Sequence, residues 1–416
     1  MIFSVILILL AVFGAPLFTI IAASAMLGYV KEEIDLMAII IEVIGISSLP
    51  FLSAIPLFTF AGYVLSESNA PARLVRLTRA LLGWMPGGLA LVALAACAFF
   101  TAFTGASGVT IIALGAILYP ALQQDGYPDR FNLGLVTSAG SLGLLFAPSL
   151  PLILYGVISN VSIDDLFRAG ILPGMLMLIL LSGYSMWVSR RNQQELRPFS
   201  FQELAGALRE SIWELPLPVV VLGGIYSGYF AVSEAAAVTA LYVLIVEVLI
   251  LREIKLSELP KVMRESMLLV GGILIILGMS LASTNYMIDA GVPQKLLEYM
   301  SGFVSSPANF LFLLLIFLLI LGAILDIFSA IVLVVPLILP IAAEYGINEV
   351  HLGIVFLASM QLGYLTPPVG LNLFIASYRF NKPIMHVYSA TFPFLLILML
   401  SVLIITYWPN LSLWLL

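Results

Sequence analysis

Leu142-Gly143 and Ala147-Pro148-Ser149 interrupt one strongly apolar stretch of the sequence, and Leu362-Gly363 and Pro367-Pro368-Val369 interrupt another near its end. The two interruptions are in register, because the interval from Gly143 to Gly363 equals the interval from Pro148 to Pro368. Glycine relaxes the backbone and proline removes a helical N–H donor, so both break helices. Paired broken helices in two halves of a membrane chain indicate the binding site of a secondary transporter.

Each interruption belongs to a longer repeated block. A turn signal inside an apolar run precedes it, Thr104-Gly105-Ala106-Ser107-Gly108 in the first block and Leu325-Asp326-Ile327-Phe328-Ser329 in the second. The pattern predicts two helical hairpins, over about residues 86–122 and 308–344. Each hairpin is followed by a helix that breaks near its middle, over about 130–159 and 350–378.

The composition excludes a soluble domain. The 416 residues are 62% hydrophobic and 10% charged, whereas soluble domains carry about 25% charged residues. Runs such as 310–324 are apolar on every face, which favours helices over the alternating strands of a barrel. Outside the repeats we expect helices near 2–29, 51–66, 171–189, 212–230, 234–251, 266–286 and 388–408, with 36–48 as a short re-entrant or interfacial piece. The fold class is therefore an all-α polytopic membrane protein.

Basic residues give the two repeats opposite orientations. The connections that flank the first hairpin carry four arginines, Arg73, Arg76, Arg79 and Arg130. The equivalent connections of the second hairpin carry only Lys295 and His351. By the positive-inside rule the first hairpin enters from the cytoplasm and the second from the other side, so the repeats are inverted. Pro71 and Pro293, separated by nearly the same interval as the breaks, each open a short amphipathic helix before the hairpin, which we expect to lie along the membrane surface.

Several motifs together resemble the large membrane subunit of tripartite ATP-independent periplasmic (TRAP) transporters, which belong to the ion transporter superfamily. The matching residues include Ala54-Ile55-Pro56-Leu57-Phe58, Pro86-Gly87-Gly88-Leu89, Thr104-Gly105-Ala106-Ser107, Glu234-Ala235-Ala236-Ala237 and Leu365-Thr366-Pro367-Pro368-Val369-Gly370-Leu371-Asn372. They follow one another in the family's order over nearly the whole chain. Two positions depart from the pattern: Gly108 stands where the family commonly has a second serine, and Ala147 where it commonly has proline.

The resemblance implies an elevator-type, sodium-coupled importer of a small organic anion, a carboxylate or sulfonate, in the bacterial inner membrane. Its partners would be a separate four-helix membrane subunit and a periplasmic substrate-binding protein, with no nucleic acid and no cofactor other than sodium as the coupling ion. The division expected on this basis is a scaffold and arm (1–85), a first transport repeat (86–160), scaffold helices and a second arm (161–307), a second transport repeat (308–380) and a C-terminal helix (381–416).

Sodium needs several oxygen ligands, and unwound helices supply them as free carbonyls. We expect two sodium sites, each between a hairpin tip and the nearby helix break, and no other metal. The first would use Gly105, Ser107 and the segment from Gly140 to Ala147, and the second Asp326, Ser329, Gly363 and Thr366. The alternative is that these glycines and prolines only permit kinks and close helix packing. For Asp326 three roles remain open: sodium ligation, capping of the second hairpin arm, and proton coupling.

The apolar cores of the repeats carry no basic residue, so an anion would be held by helix dipoles, hydroxyls and an amide. The candidate substrate residues are Thr104, Ser107, Ser149, Pro367, Pro368 and Asn372. Asn372 could instead be a helix cap, since it follows Gly370. Glu234, at the start of an apolar helix, is expected to interact with the helix dipole rather than with an ion.

Three other functions compete with this hypothesis. A stand-alone inverted-repeat anion symporter or sodium/proton antiporter would need no binding protein. A channel would lack saturable, coupled flux. An intramembrane enzyme is not expected, because Cys97 and two outlying histidines form no catalytic pattern and no His-Glu-x-x-His motif is present.

Overall fold

A computed structural model describes residues 7, 9–10, 15–45, 52–191, 199–301, 304 and 306–416, and this part of the chain forms helices without strands. Nine helices of the described chain precede the first hairpin or lie between the two repeat regions. They are α1 (Leu17–Lys31), α2 (Met37–Gly45), α3 (Ala54–Glu67), α4 (Ala70–Leu82), α10 (Phe201–Glu210), α11 (Pro216–Tyr226), α12 (Val232–Leu244), α13 (Leu259–Asp289) and α14 (Val292–Ser301). A π-helical segment, Ile245–Ile250, continues α12.

The predicted hairpins are both present. The first consists of α5 (Gly88–Thr104) and α6 (Ser107–Gln124), and the second of α15 (Pro307–Ile324) and α16 (Ile327–Glu344). Each is followed by a broken helix, as expected. In the first, α7 (Asp129–Ala139) leads through a 3-10 turn, Leu142–Leu145, to α8 (Leu150–Ser159) with a bend of 42°. In the second, α17 (Glu349–Gly363) is separated from α18 (Leu371–Phe380) by residues 364–370. The fold is thus a pair of inverted repeats, each with a re-entrant hairpin and a broken transmembrane helix.

Seven of the described helices are long and apolar enough to cross a membrane. The predicted spans at 171–189, 234–251, 266–286 and 388–408 all coincide with such helices. The span predicted near 2–29 lies partly outside the described residues. The short apolar piece predicted at 36–48 contains the nine-residue α2.

The repeat register continues beyond the broken helices into α9 (Ile163–Arg191) and α19 (Ile384–Tyr407). Each has an internal proline, Pro173 and Pro393, at the same interval as the two breaks. Both helices pack directly on the repeats. A Cβ on Gly170 of α9 would collide with the Leu145 carbonyl oxygen, and α19 packs along α7. The prediction grouped 161–307 with the scaffold, and these contacts connect α9 closely to the first break.

The remaining long helices form a second bundle. α3 packs between α12 and α13, and α13 also packs on α1. The two amphipathic helices predicted before the hairpins are α4 and α14, so both arms occur where the sequence placed them. α4 lies against α5, and α14 against α16, and each therefore links the second bundle to one hairpin. A final short helix, α20 (Asn410–Leu413), packs on α9 and α17.

Candidate functional site

The two hairpin tips reverse the chain by different means. At the first tip, α5 ends in Gly105, whose φ of +64° is a left-handed conformation that favours glycine. At the second tip, Asp326 caps α16, and its carboxylate accepts hydrogen bonds from the backbone N–H groups of Phe328 and Ser329, both at 3.0 Å. The Ser329 hydroxyl donates to the other carboxylate oxygen. Of the three roles left open for Asp326, capping is therefore present in the structure.

The first helix break lies against the first hairpin. The Thr101 hydroxyl of α5 donates to the Gly140 carbonyl oxygen at 2.9 Å and lies 2.7 Å from the Thr110 hydroxyl of α6. Gly140 directly follows α7, so this carbonyl belongs to a helix C-terminus. The C-terminal parts of α5 and α7 thus meet, and both carry partial negative charge at that end.

The second break lies against the second hairpin in a comparable way. The Tyr364 hydroxyl accepts from the Ile327 N–H at 2.7 Å, and the Gly370 N–H donates to the Ala323 carbonyl at 2.9 Å. The Thr366 hydroxyl, within the break, donates to the Leu362 carbonyl at the end of α17 at 3.1 Å. Here the C-termini of α15 and α17 meet.

Glycine makes both of these contacts close. A Cβ on Gly363 would lie 2.6 Å from Gly322 Cα, and a Cβ on Gly143 would lie 2.5 Å from the Ala102 backbone nitrogen. Ala102 and Gly322 are separated by the same interval as Gly143 and Gly363, so the same contact occurs in each repeat. Since backbone cannot move aside as a flexible side chain can, neither position accepts a larger residue without displacement. Both breaks also contain a cis peptide bond, Ala147–Pro148 and Pro367–Pro368.

The two repeats meet at the first hairpin tip. The Ser107 hydroxyl, at the start of α6, donates to the Asn372 side-chain oxygen, near the start of α18, at 2.7 Å. The Asn372 amide nitrogen lies 3.5 Å from the Thr137 carbonyl oxygen of α7. Asn372 therefore bonds across the repeats, and no side-chain bond of the described chain caps α18. The alternative prediction, that Asn372 caps the start of α18, is therefore wrong.

A third helix begins at the same place. The first residue of α8, Leu150, packs its side chain on Gly105, where a Cβ would lie 2.6 Å from Leu150 Cγ. The N-termini of α6, α8 and α18 are thus gathered around the first tip. Helix N-termini carry partial positive charge and unpaired N–H groups, an arrangement that suits an anion.

Several buried polar side chains near these breaks have no hydrogen-bond partner within the described part of the chain. They are the hydroxyls of Thr104, Ser138, Ser141 and Ser149 and both amide atoms of Gln361. Buried polar groups are nearly always hydrogen-bonded, so such a group calls for a water, an ion or a ligand. Ser141 and Gln361 are equivalent in the repeat register, each two residues before the glycine of its break.

Most of the predicted site residues lie at the two hairpin tips and the adjoining helix breaks. Thr104, Gly105, Ser107, Gly140, Ala147 and Ser149 surround the first tip and break, and Asp326, Ser329, Gly363 and Thr366 the second. Ser107 and Asn372 are in direct contact. Pro367 and Pro368 differ from their counterparts, because they are exposed whereas 147–149 are buried. Glu234 caps its helix, accepting from the Ala231 N–H at 3.0 Å, in line with the dipole prediction.

Sequence reasoning missed Thr101, Thr137, Ser138 and Gln361, and it included Ser141 only as part of the segment from Gly140 to Ala147. Thr101 and Thr137 carry no distinctive signal in an apolar helix, because threonine hydroxyls commonly bond their own backbone. Ser141 and Gln361 could have been found, since two polar residues in register beside the breaks are a repeat signal of the same kind as the glycines.

Comparison with known proteins agrees with this architecture. The family described as "Tripartite ATP-independent periplasmic transporter, DctM component" matches residues 3–411. The chain is 36% identical to the C4-dicarboxylate TRAP transporter large permease protein DctM of Pseudomonas aeruginosa, over 87% of this chain and 85% of the relative. It is 35% identical to the isethionate TRAP transporter permease protein DctMQ of Oleidesulfovibrio alaskensis, over 94% of this chain and 61% of the relative.

A solved structure shares the fold. The crystal structure of the YdaH transporter of Alcanivorax borkumensis superposes with a TM-score of 0.63, covering 89% of this chain and 87% of the other at 13% identity. The family profile and the relatives cover most of the chain, so they establish family membership as well as the fold. The chain belongs to the family of large permease components of TRAP transporters, the DctM family.

Proposed function

We propose that this multi-pass inner-membrane protein is the permease of a sodium-coupled system that imports a small organic anion, a carboxylate or a sulfonate. The observation that carries the proposal is the meeting of three helix N-termini, those of α6, α8 and α18, at the Ser107–Asn372 contact. Their partial positive charge supplies the attraction that a basic residue would otherwise provide. Relatives named for a C4-dicarboxylate and for isethionate, a sulfonate, support an anionic substrate.

Sodium would bind where helix C-termini meet. At the first site the carbonyl of Gly140 and the unpartnered hydroxyls of Thr104, Ser138 and Ser141 are candidate oxygen ligands, in addition to Gly105, Ser107 and Ala147. At the second site the candidates are Asp326, Ser329, Gly363 and Thr366. A hard cation is bound by such oxygens together with the negative ends of helix dipoles. The cation and the anion would thus occupy opposite kinds of helix terminus within one block.

The two repeats would move together as the transport domain. We include α9 and α19 with them, because both pack directly on the broken helices and share their register. α3, α11, α12 and α13 would form the fixed scaffold. A periplasmic binding protein would deliver the substrate, and a separate small membrane subunit would accompany this chain.

Uptake in proteoliposomes tests the proposal. The chain is reconstituted with the products of neighbouring genes that encode a small membrane subunit and a periplasmic binding protein, and radiolabelled succinate and isethionate are compared under an inward sodium gradient. We expect saturable uptake of one of them that needs sodium and the binding protein. Equal uptake with a potassium or a proton gradient would contradict sodium coupling. Equal uptake without the binding protein would favour a stand-alone symporter.

A further inference from the structure

A buried ionic cluster holds the first arm, α4, to the second bundle. The guanidinium of Arg73 bonds to Glu214, which precedes α11, and to Glu253, which follows the π-helical segment. It also lies 3.4 Å from the carboxylate of Glu247 within that segment. The side chains of Glu247 and Glu214 are only 1% and 4% exposed. One arginine therefore faces three carboxylates in a largely dry environment.

Backbone contacts at the same place reinforce the connection. The Asn69 N–H, just before α4, donates to Glu253 at 2.7 Å, and the Ser211 hydroxyl donates to the Arg73 carbonyl at 3.4 Å. Burial alone would lower the pKa of Arg73, but its hydrogen bonds and the neighbouring carboxylates raise it overall. Removal of the arginine would leave three carboxylates without their counter-charge, and such buried pairs are costly to break on one side.

The next arginine along the arm is different. Arg76 pairs with Glu203 and Glu210 of α10, but its side chain is 38% exposed and its partners are about half exposed. Exposed ion pairs contribute little to stability.

The second arm has no equivalent of this anchor at the matching position. Lys295 follows Pro293 as Arg73 follows Pro71, yet it donates to the Ala290 carbonyl just before its own helix, at 2.9 Å.

Beyond Arg73 the arm leads to the first hairpin through a glycine-rich turn, Gly83-Trp84-Met85-Pro86-Gly87-Gly88. Gly87 has a φ of +77°, and a Cβ on Gly88 would lie 2.5 Å from the Gly83 carbonyl oxygen. Such a turn can absorb a change in direction that the anchored start of α4 cannot.

We propose that Arg73 is a positioning residue for transport, which fixes the start of α4 to the scaffold so that hairpin movement is taken up at the Gly83–Gly88 turn. This inference rests on the proposed function, because it assumes that the first hairpin moves relative to the scaffold and that α4 connects the two. It predicts that Arg73 governs the rate of translocation and leaves substrate and sodium binding unchanged.

One small cavity offers the positions for a direct test. Leu74 of the arm and Leu217 of α11 line it beside Glu214, and so do Leu65 of α3 and Phe99 of the first hairpin. Cysteine pairs are introduced in a Cys97→Ala background and joined with a cleavable thiol-specific cross-linker. The pair at 74 and 217 joins arm to scaffold, whereas the pair at 65 and 99 joins scaffold to hairpin.

The complete transporter is assayed with Arg73→Gln and with Arg76→Gln as the matched control. We expect Arg73→Gln to lower the maximal uptake rate about ten-fold with unchanged half-saturation for substrate, and Arg76→Gln to stay within about two-fold of the parent. The cross-link between 74 and 217 should leave uptake intact and should restore it to the Arg73→Gln variant until the linker is cleaved. The cross-link between 65 and 99 should stop uptake reversibly.

Three results would overturn the inference: loss of uptake on joining 74 to 217, no rescue of Arg73→Gln by that link, or full uptake with 65 joined to 99. A folding defect of Arg73→Gln does not obscure the outcome, since the first and third tests keep Arg73. Uptake by the Cys97→Ala parent separates these failures from failure of the proposed function, in which the parent itself would not transport.

Discussion

The hydroxyl of Ser107 donates to the side-chain oxygen of Asn372 at 2.7 Å, which joins the start of α6 in one repeat to the start of α18 in the other. The two residues lie far apart in the sequence. Because both helices present their N-termini there, partial positive charge is concentrated at the contact, and the proposed anion site is centred on it.

Replacement of Asn372 by alanine is expected to weaken substrate binding. The change removes the side-chain amide that bonds Ser107, so the N-termini of α6 and α18 are no longer held together. The half-saturation concentration for substrate should therefore rise about ten-fold or more. Concentration-dependent uptake at saturating sodium measures it. Ser359→Ala is the matched control, since Ser359 is equally buried but donates to the Val355 carbonyl of its own helix. Equal effects of the two variants would count against a substrate role.

Replacement of Thr101 by valine is expected to weaken sodium activation. Valine keeps the shape but removes the hydroxyl that holds the Gly140 carbonyl. The sodium concentration for half-maximal uptake should rise by roughly five- to ten-fold, equivalent to about 1 kcal/mol, with little change in substrate half-saturation at saturating sodium. Thr239→Val provides the control, because that hydroxyl donates to the Ala235 carbonyl one turn earlier in α12. An unchanged sodium dependence would remove Gly140 from the sodium site.

A methyl group at Gly363 is expected to destabilise the second repeat. The Cβ of Gly363→Ala would meet Gly322 Cα at 2.6 Å, so one backbone must shift, at a cost of about 1–3 kcal/mol. The melting temperature of the purified protein in detergent should fall. Gly271→Ala in α13 is the control, since among the described residues no atom lies within 4 Å of the added Cβ, apart from those of its own helical turn. There the substitution should leave stability unchanged or raise it.

Ser280 of α13 is expected to compensate for a proline in the second hairpin. Pro336 has no N–H, so the Val332 carbonyl one turn earlier loses its helical partner, and the Ser280 hydroxyl donates to it at 2.7 Å instead. Ser280→Ala should therefore lower stability by about 1–2 kcal/mol, because the carbonyl is left unpaired in the membrane.

A double substitution gives this prediction a sharp check. Pro336→Ala restores the N–H donor, so Ser280→Ala should cost much less in a Pro336→Ala background than in the parent. Thermal unfolding of the parent, the two single variants and the double variant completes this double-mutant cycle. Additive effects would show that the hydroxyl and the proline act independently. Ser266→Ala, which loses a bond to the Met263 carbonyl within α13, is the control for hydroxyl removal.

Local chemistry alone was enough to predict the two hairpins, the two broken helices and their common register. Glycines and prolines clustered within an apolar run break a helix, and an apolar run of sufficient length must be a membrane helix. Charge on the connections was enough to predict that the repeats are inverted. The predicted role of Glu234 at its helix start rests on the same local physics.

Which of these local features meet depends on tertiary packing. Ser107 and Asn372 stood in separate repeats as separate candidates, and Thr101 did not stand out at all. Its hydroxyl lies against Gly140, and α9 lies against the first break, because helices from distant parts of the chain pack side by side. Residues within one helix obey a fixed spacing, whereas contacts between helices depend on how many faces fit together at once. That is why the repeat could be predicted from the sequence, while the grouping of three helix N-termini around one tip could not.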